Sequence, residues 1–265
     1  MERLPKRILY TYGVSELCFS LMVGMEVYFF SAFLTDYAQF PLKLAGQILL
    51  LTSLFDIVCA LGGAVILQKV TMPFGGKYRS WLLVGPPVVA PLFVMQFVKI
   101  GSDSMAAAVI IFAFVSSHML WNVSYAAVGS MLGRLSQLPD ERTTMSASRT
   151  QGGCVAGLIF SLAGLPMINF FGERTSRLAG FPITTAIFAL LMICGYLYIY
   201  KITAGKDPYD EASAGSTGKG SQESMKEVAG LALRNRPLLF IITADTFNNT
   251  ATFMNLAFSF YYFIY

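Results

Sequence analysis

Charge is scarce in this chain: Asp, Glu, Lys and Arg make up 13% of its 265 residues, while 55% are hydrophobic and the mean hydropathy is +0.60. Such a shortage of charge excludes an ordinary soluble globule and describes a chain dissolved in lipid. Histidine occurs once, and Cys18, Cys59, Cys154 and Cys194 stand singly inside apolar runs. That spacing excludes the close pairing a zinc site or redox motif requires. There is neither a phosphate-cradling glycine loop nor a nucleophile elbow. Nothing therefore points to an enzyme, and no cofactor is expected.

What the chain has instead is apolar length. A bilayer core of about 30 Å takes about 20 apolar residues per helix, and seven such runs lie near 8–34, 44–68, 81–100, 104–132, 146–171, 178–200 and 237–265. The fold class is an all-α, multi-pass membrane protein, with small-molecule solute and membrane lipid as its natural partners. The basic start Met1–Arg7 does not announce a cleaved signal, because the run behind it is too long, contains Glu16 and Glu26, and has no small-residue cleavage site.

Orientation follows from Lys and Arg. With the N-terminus cytoplasmic, fifteen basic residues fall inside and only Lys43, Lys99, Arg174 and Arg177 fall outside. The net charge of +4 thus reflects topology and calls for no nucleic acid. The expected location is the cell (inner) membrane.

Three parts are expected: a six-helix bundle over 1–201, a cytoplasmic middle loop over 202–236 and a seventh transmembrane helix over 237–265. The loop contains AGKDPYDEASAGSTGKGSQES, which has too little apolar surface to order itself. Its end carries the Ser224-x-x-Glu227 capping pattern of a short interfacial helix. The last residues, Phe-Tyr-Tyr-Phe-Ile-Tyr, carry no polar anchor, and a truncated chain is the expectation. Within the bundle, Pro86, Pro87 and Pro91 predict a kink in the third helix, and Gly153 with Gly157 a small-residue face for close approach on the fifth.

Ionisable groups cost roughly 2.5 to 3.5 kcal/mol each at a helix centre, so those that persist face a cavity or one another. Asp56 lies at the middle of its run, while Glu16 and Glu26 lie roughly 8 Å to either side of the midplane at about 1.5 Å per residue. Asp56 is read as an ion- or proton-coupling acid, with Glu16 and Ser20, one turn apart on one face, as its expected neighbours. The plain alternative is a buried carboxylate that fixes packing. Glu26 is read as structural or as part of an extracellular gate, and His118 as a hydrogen-bonded packing residue. Pro139-Asp140-Glu141 marks a helix start, which puts Arg149 at a depth where a guanidinium needs an acid or a hydroxylated or anionic ligand, unless it snorkels to the surface. Asp245 and Asn249 share a face of the seventh run, whose polarity suits a cavity lining.

Several stretches together resemble the melibiose-permease-like glycoside-pentoside-hexuronide:cation symporters of the major facilitator superfamily. They are YGVSELCFSLMVGMEVYFFSAFLTD (12–36), FDIVCALGG (55–63), FGGKYRSWLLVG (74–85), LWNVSY (120–125), SRTQGGCVAG (148–157) and FSFYYFIY (258–265). The resemblance implies twelve helices in two halves, of which this chain holds the first six and helix 7, so that the missing helices or a partner chain would complete the cavity. It implies cation-coupled symport, with H+ or Na+ as coupling ion. Asp56 matches the first helix-2 carboxylate of the family's cation site, while the second falls at Ala60, the helix-1 acid at Ser20, the helix-4 acid at Gly129 and a pocket indole at Gly133. Arg149 and Tyr125 match sugar-site positions, Asn249 a polar helix-7 position, and Lys77 and Arg79 a basic turn that pairs with acids during gating or simply anchors the inside face. The function expected is secondary active transport of a sugar or sugar acid, galactosides disfavoured. The alternatives are a half-transporter without activity of its own and a heptahelical receptor or retinal protein. The latter is opposed by the inside N-terminus and by a seventh run without Lys.

Overall fold

The computed structural model describes residues 3–72, 74–206 and 234–264. Two compact units, Met1–Asp210 and Glu211–Tyr265, divide the chain. The first contains α1 (Lys6–Thr11), α2 (Val14–Ala32) prolonged by a π-helical turn at Phe33–Tyr37, α3 (Leu42–Lys69), α4 (Arg79–Met95), α5 (Asp103–Leu135), α6 (Pro139–Arg174) and α7 (Gly180–Ile202). The second contains α8 (Arg236–Ile264). Five stretches, Lys6–Tyr37, α3, α5, α6 and α7, are long and apolar enough to cross a membrane, and α4 is a shorter apolar helix. The capping pattern at Ser224–Glu227 lies outside the described residues.

The helices start where local chemistry favours a start. Ser102 caps α5 by accepting the Met105 N–H at 3.4 Å. Pro139 opens α6, where its missing N–H costs nothing. Glu141, in the first turn of α6, is buried; its carboxylate accepts the Leu4 N–H at 3.1 Å and the Ser136 hydroxyl at 2.6 Å. One acid at the positive end of the helix thus holds the chain's start against the α5–α6 turn. The third run stops earlier than its apolarity predicted. α4 ends at Met95, and the chain tightens into i→i−3 bonds from Gln96 to Phe93 and from Phe97 to Val94.

The first span is broken at Tyr12–Gly13, and α6 repairs the break. The Gly13 N–H donates to Ser148 Oγ at 3.0 Å, and the Ser148 hydroxyl donates to the Tyr10 carbonyl at 2.8 Å. Backbone groups freed inside a membrane need such partners. The contact is also tight: a Cβ on Gly13 would collide with the Ser148 backbone, and one on Gly152 with the Gly13 carbonyl. Gly152 is therefore the glycine of close approach. Gly153 and Gly157, expected in that role, are turned elsewhere; a Cβ on Gly157 would meet nothing within 4 Å. The reason is rotation by about 100° per residue, which places Gly152, Ala156, Phe160 and Gly164 on the buried stripe of α6.

The most extensive packings are α4 on α5, α3 on α5, α2 on α7, α2 on α6 and α4 on α7. Numbering the six spans in order, an exchange of 1 with 4, 2 with 5 and 3 with 6 maps this set onto itself. The six spans thus pack as two interleaved three-helix repeats.

Candidate functional site

Arg149 projects from α6 toward α2 and finds an acid. Its Nε and Nη2 donate to Glu16 Oε2 at 2.9 and 2.5 Å, and the side chains of both residues are about one-sixth exposed. The sequence left open whether Arg149 snorkels or pairs, and it pairs. From α5, the Tyr125 hydroxyl donates to Glu16 Oε1 at 3.3 Å, and the Arg149 guanidinium lies 5.0 Å from the centre of the Tyr125 ring. Both carboxylate oxygens are thereby occupied, one by a charge-assisted contact and one by a phenol. A Cβ at Gly129 would lie 3.6 Å from Arg149 Nη1, so the absence of a side chain there leaves room for the guanidinium.

Around this pair is a cleft of about 310 Å³ lined by Glu16, Tyr125, Ser146, Arg149, Thr150 and Gly153. A Cβ at Gly153 would stand 3.8 Å from Ser20 Oγ and 3.9 Å from Glu16 Cγ, which puts Ser20 along the same wall. Tyr125 and Trp121 each meet the Phe19 ring at a tilt, with centres 5.0 Å apart. Aromatic faces beside hydroxyls and a neutralised ion pair offer the mixed lining that small polar ligands use.

Asp56 has a different neighbourhood from the one expected. Glu16 and Ser20 face α6, whereas Asp56 has His118 beside it, with Nε2 at 3.9 Å from Oδ1. Two physical reasons account for the correction. α2 packs on α6 and α7 rather than extensively on α3. Moreover, Glu16 and Glu26 differ by ten residues, or about 80° in helical phase, so α2 turns Glu16 to α6 and Glu26 to α5. Glu26 Oε1 lies 3.2 Å from His118 Nε2. His118 is buried, stacks on Phe114 at 3.6 Å and meets Trp121 at a tilt with ring centres 4.3 Å apart, and its Nδ1 lies 2.9 Å from the Phe114 carbonyl. It does pack, as expected, but between two acids. Spacing on separate helices hid this from the sequence; the signal available was that His118 and Asp56 both fall at the centres of their helices.

Arg79 is buried at the α3–α4 turn. Its guanidinium donates to the carbonyls of Gly75 at 3.0 Å and Tyr200 at 2.7 Å and to Thr203 Oγ1 at 3.3 Å, and it lies 4.3 Å from the centre of the Tyr200 ring. It caps the negative end of α7. Lys77 is half-buried, with Nζ 5.7 Å from the Tyr78 ring centre. Asp245 and Asn249 lie one turn apart on α8, and both are exposed in that unit. Among the described residues, no group of three or more His, Cys, Asp or Glu is arranged to hold a metal ion.

Comparison with known proteins adds a family. Residues 11–265 match the family described as MFS/sugar transport protein. The chain is 25% identical over 255 residues to the "Uncharacterized symporter YjmB" of Bacillus subtilis, covering 94% of this chain and 53% of that protein. It is 24% identical over 257 residues to the "Putative sulfoquinovose importer" of Escherichia coli K12, covering 95% and 52%. It is 20% identical over 195 residues to the "Isoprimeverose transporter" of Lactiplantibacillus pentosus, covering 73% and 41%. The chain spans about half the length of these relatives.

Proposed function

As the chain belongs to the MFS/sugar transport protein family, a family of membrane transporters and not of enzymes, we propose that it serves secondary active symport of a sugar or a related small polar solute. Transport proceeds by alternating access, with two bundles rocking around a site near mid-membrane. Helices 8 to 12 or a partner chain complete that cavity. The protein sits in the cell (inner) membrane with its N-terminus in the cytoplasm, which the distribution of Lys and Arg supports. Family membership sets aside the heptahelical receptor and retinal-protein readings.

The observation that carries this reading is the Glu16–Arg149–Tyr125 cleft. Within it, the guanidinium and the carboxylate neutralise each other, so the lining has donors and acceptors but little net charge. A neutral polyhydroxylated solute fits such a lining: sugar hydroxyls donate to Glu16 and accept from Arg149, while Tyr125 and Phe19 offer faces to the ring's C–H groups. A sugar acid is the second reading, favoured by Arg149 itself once Glu16 releases it. Asp56 supplies the coupling to H+ or Na+, from beside His118 rather than from beside Glu16 and Ser20. For Asp245 and Asn249 a substrate-binding role is carried by the sequence and its resemblance alone, and Lys77 with Arg79 forms the turn that moves in gating.

The test is uptake of labelled sugars into vesicles from cells that express the protein, with a sodium or a proton gradient imposed separately. Accumulation under one gradient, lost in Arg149→Ala, is the expected result. No accumulation of any sugar or sugar acid under either gradient overturns the reading.

A further inference from the structure

Two acids from two helices converge on the imidazole of a third. Glu26 comes from α2, Asp56 from α3 and His118 from α5, with Nε2 of His118 at 3.2 Å from Glu26 Oε1 and at 3.9 Å from Asp56 Oδ1. The helix centres agree with a mid-membrane position: α3 is centred near Asp56 and α5 near His118.

The hydrogen-bond pattern counts the protons. His118 Nδ1 faces the Phe114 carbonyl at 2.9 Å and the Ser117 hydroxyl at 3.4 Å; that hydroxyl donates to the same carbonyl at 2.9 Å, and a carbonyl oxygen only accepts, so Nδ1 carries a proton. Its other nitrogen, Nε2, then faces a carboxylate oxygen, and one proton must lie between them. The pair is therefore an imidazolium with a carboxylate or a neutral ring with a carboxylic acid, and its net charge is zero in both forms. The second Glu26 oxygen, Oε2, is buried with no hydrogen-bond partner. Asp56 is different: its side chain is 49% exposed, and 3.9 Å is too long for a hydrogen bond to the ring.

We propose that Glu26, His118 and Asp56 form a proton-loading site, in which Glu26 and His118 hold one proton between them and Asp56 takes up and releases a second. This rests on the symport reading above and names its coupling ion. Loading adds one proton to an Asp56 oxygen and changes the net charge of the three groups from −1 to 0. An uncharged cluster crosses low-dielectric surroundings more readily than an anion does. A sodium ion, by contrast, seeks several hard oxygen ligands, and here an imidazole occupies the space between the two acids.

Other groups around the ring leave that charge count unchanged. α4 contributes Gln96, which does not titrate and donates to Ser117 at 2.7 Å beside the ring. Cys59, one turn beyond Asp56 on α3, points its thiol at the Val115 carbonyl. The Glu16–Arg149 pair is ten residues, or about 15 Å, along α2, and its charges cancel. Ring contacts nonetheless run from one site to the other. Tyr125, Trp121 and His118 follow one face of α5, and Phe19 touches both Tyr125 and Trp121.

His118 is the one histidine of the chain, so ¹⁵N-histidine labelling of the full chain in lipid nanodiscs gives a single ring to follow against pH. The expected result is an Nδ1-protonated ring throughout, whose shifts report a main titration and a smaller step from Asp56. Glu26→Gln weakens proton binding at the ring about tenfold by removing an opposite charge, and Asp56→Asn abolishes the smaller step while leaving the main one. Asp56 is half exposed, so its variant keeps the test open should Glu26→Gln fail to fold. Proton affinity within about twofold of wild type in every variant that folds, with no smaller step lost, or a ring unprotonated at Nδ1, overturns the proposal. No transport enters this readout: a normal ring titration with failed uptake counts against the symport reading alone, and the converse against this site alone.

Discussion

Arg149 and Glu16 stand 133 residues apart in the chain and meet at a single carboxylate oxygen, which accepts from both Nε and Nη2 of the guanidinium. The resemblance placed the family's helix-1 acid at Ser20. In this chain the acid is one turn earlier, at Glu16, and it faces the arginine of α6.

The pair is largely shielded from water, so removing one partner leaves an uncompensated charge. Arg149→Gln and Glu16→Gln are each expected to lower stability by about 2 to 4 kcal/mol, and the double variant by less than the two together. Thermal unfolding of the four proteins in nanodiscs gives the coupling term. A sum that is simply additive would show that the contact stabilises nothing.

Tyr125 contributes a hydroxyl and a ring, and the two are separable. Tyr125→Phe loses a bond of 3.3 Å to Glu16 and should cost under about 1 kcal/mol of stability while, on the proposed function, weakening sugar binding. Tyr125→Ala also removes the contacts with Phe19 and Arg149 and should reduce both. Equal loss of sugar affinity in the two variants would assign the whole effect to the hydroxyl.

The glycines of α6 make a steric prediction with an internal control. Gly152→Ala drives a methyl into the Gly13 carbonyl and is expected to destabilise by about 3 kcal/mol or more, in the range of overpacked cores. Gly157→Ala meets nothing within 4 Å and should be neutral or slightly stabilising, since Ala is the better helix former. Denaturation midpoints of the two variants check this directly.

Arg79 clamps the α3–α4 turn to the end of α7 through three acceptors. Arg79→Lys keeps the charge and loses the planar fork, so limited proteolysis at the turn should speed up about tenfold for a loss near 1.4 kcal/mol. Lys77→Gln, at a half-buried lysine beside Tyr78, should leave the cleavage rate near wild type. Identical rates for Arg79→Lys and wild type would remove the clamp.

Much of the fold was legible because lipid imposes one demand on every span. A backbone without water must satisfy itself in a helix, and about 20 apolar residues are needed each time. Hence the runs, the Pro139 start of α6 and the central place of Asp56 in α3 could all be read from residue order. The stop of α4 at Met95 was less legible, because Phe97 and Val98 continue the apolar trend while the backbone has already turned.

The sequence by itself determined which polar groups would lie inside the membrane and at roughly what height, since both depend only on position along a helix of known rise. It also identified Arg149 as a group in need of a partner. Which acid meets which base was decided only in the tertiary structure. Helical phase turns Glu16 to α6 and Glu26 to α5, and the α2–α6 contact through Gly13 and Gly152 sets that rotation. Pairing is a property of facing surfaces, and a one-dimensional order of residues does not state which surfaces face each other.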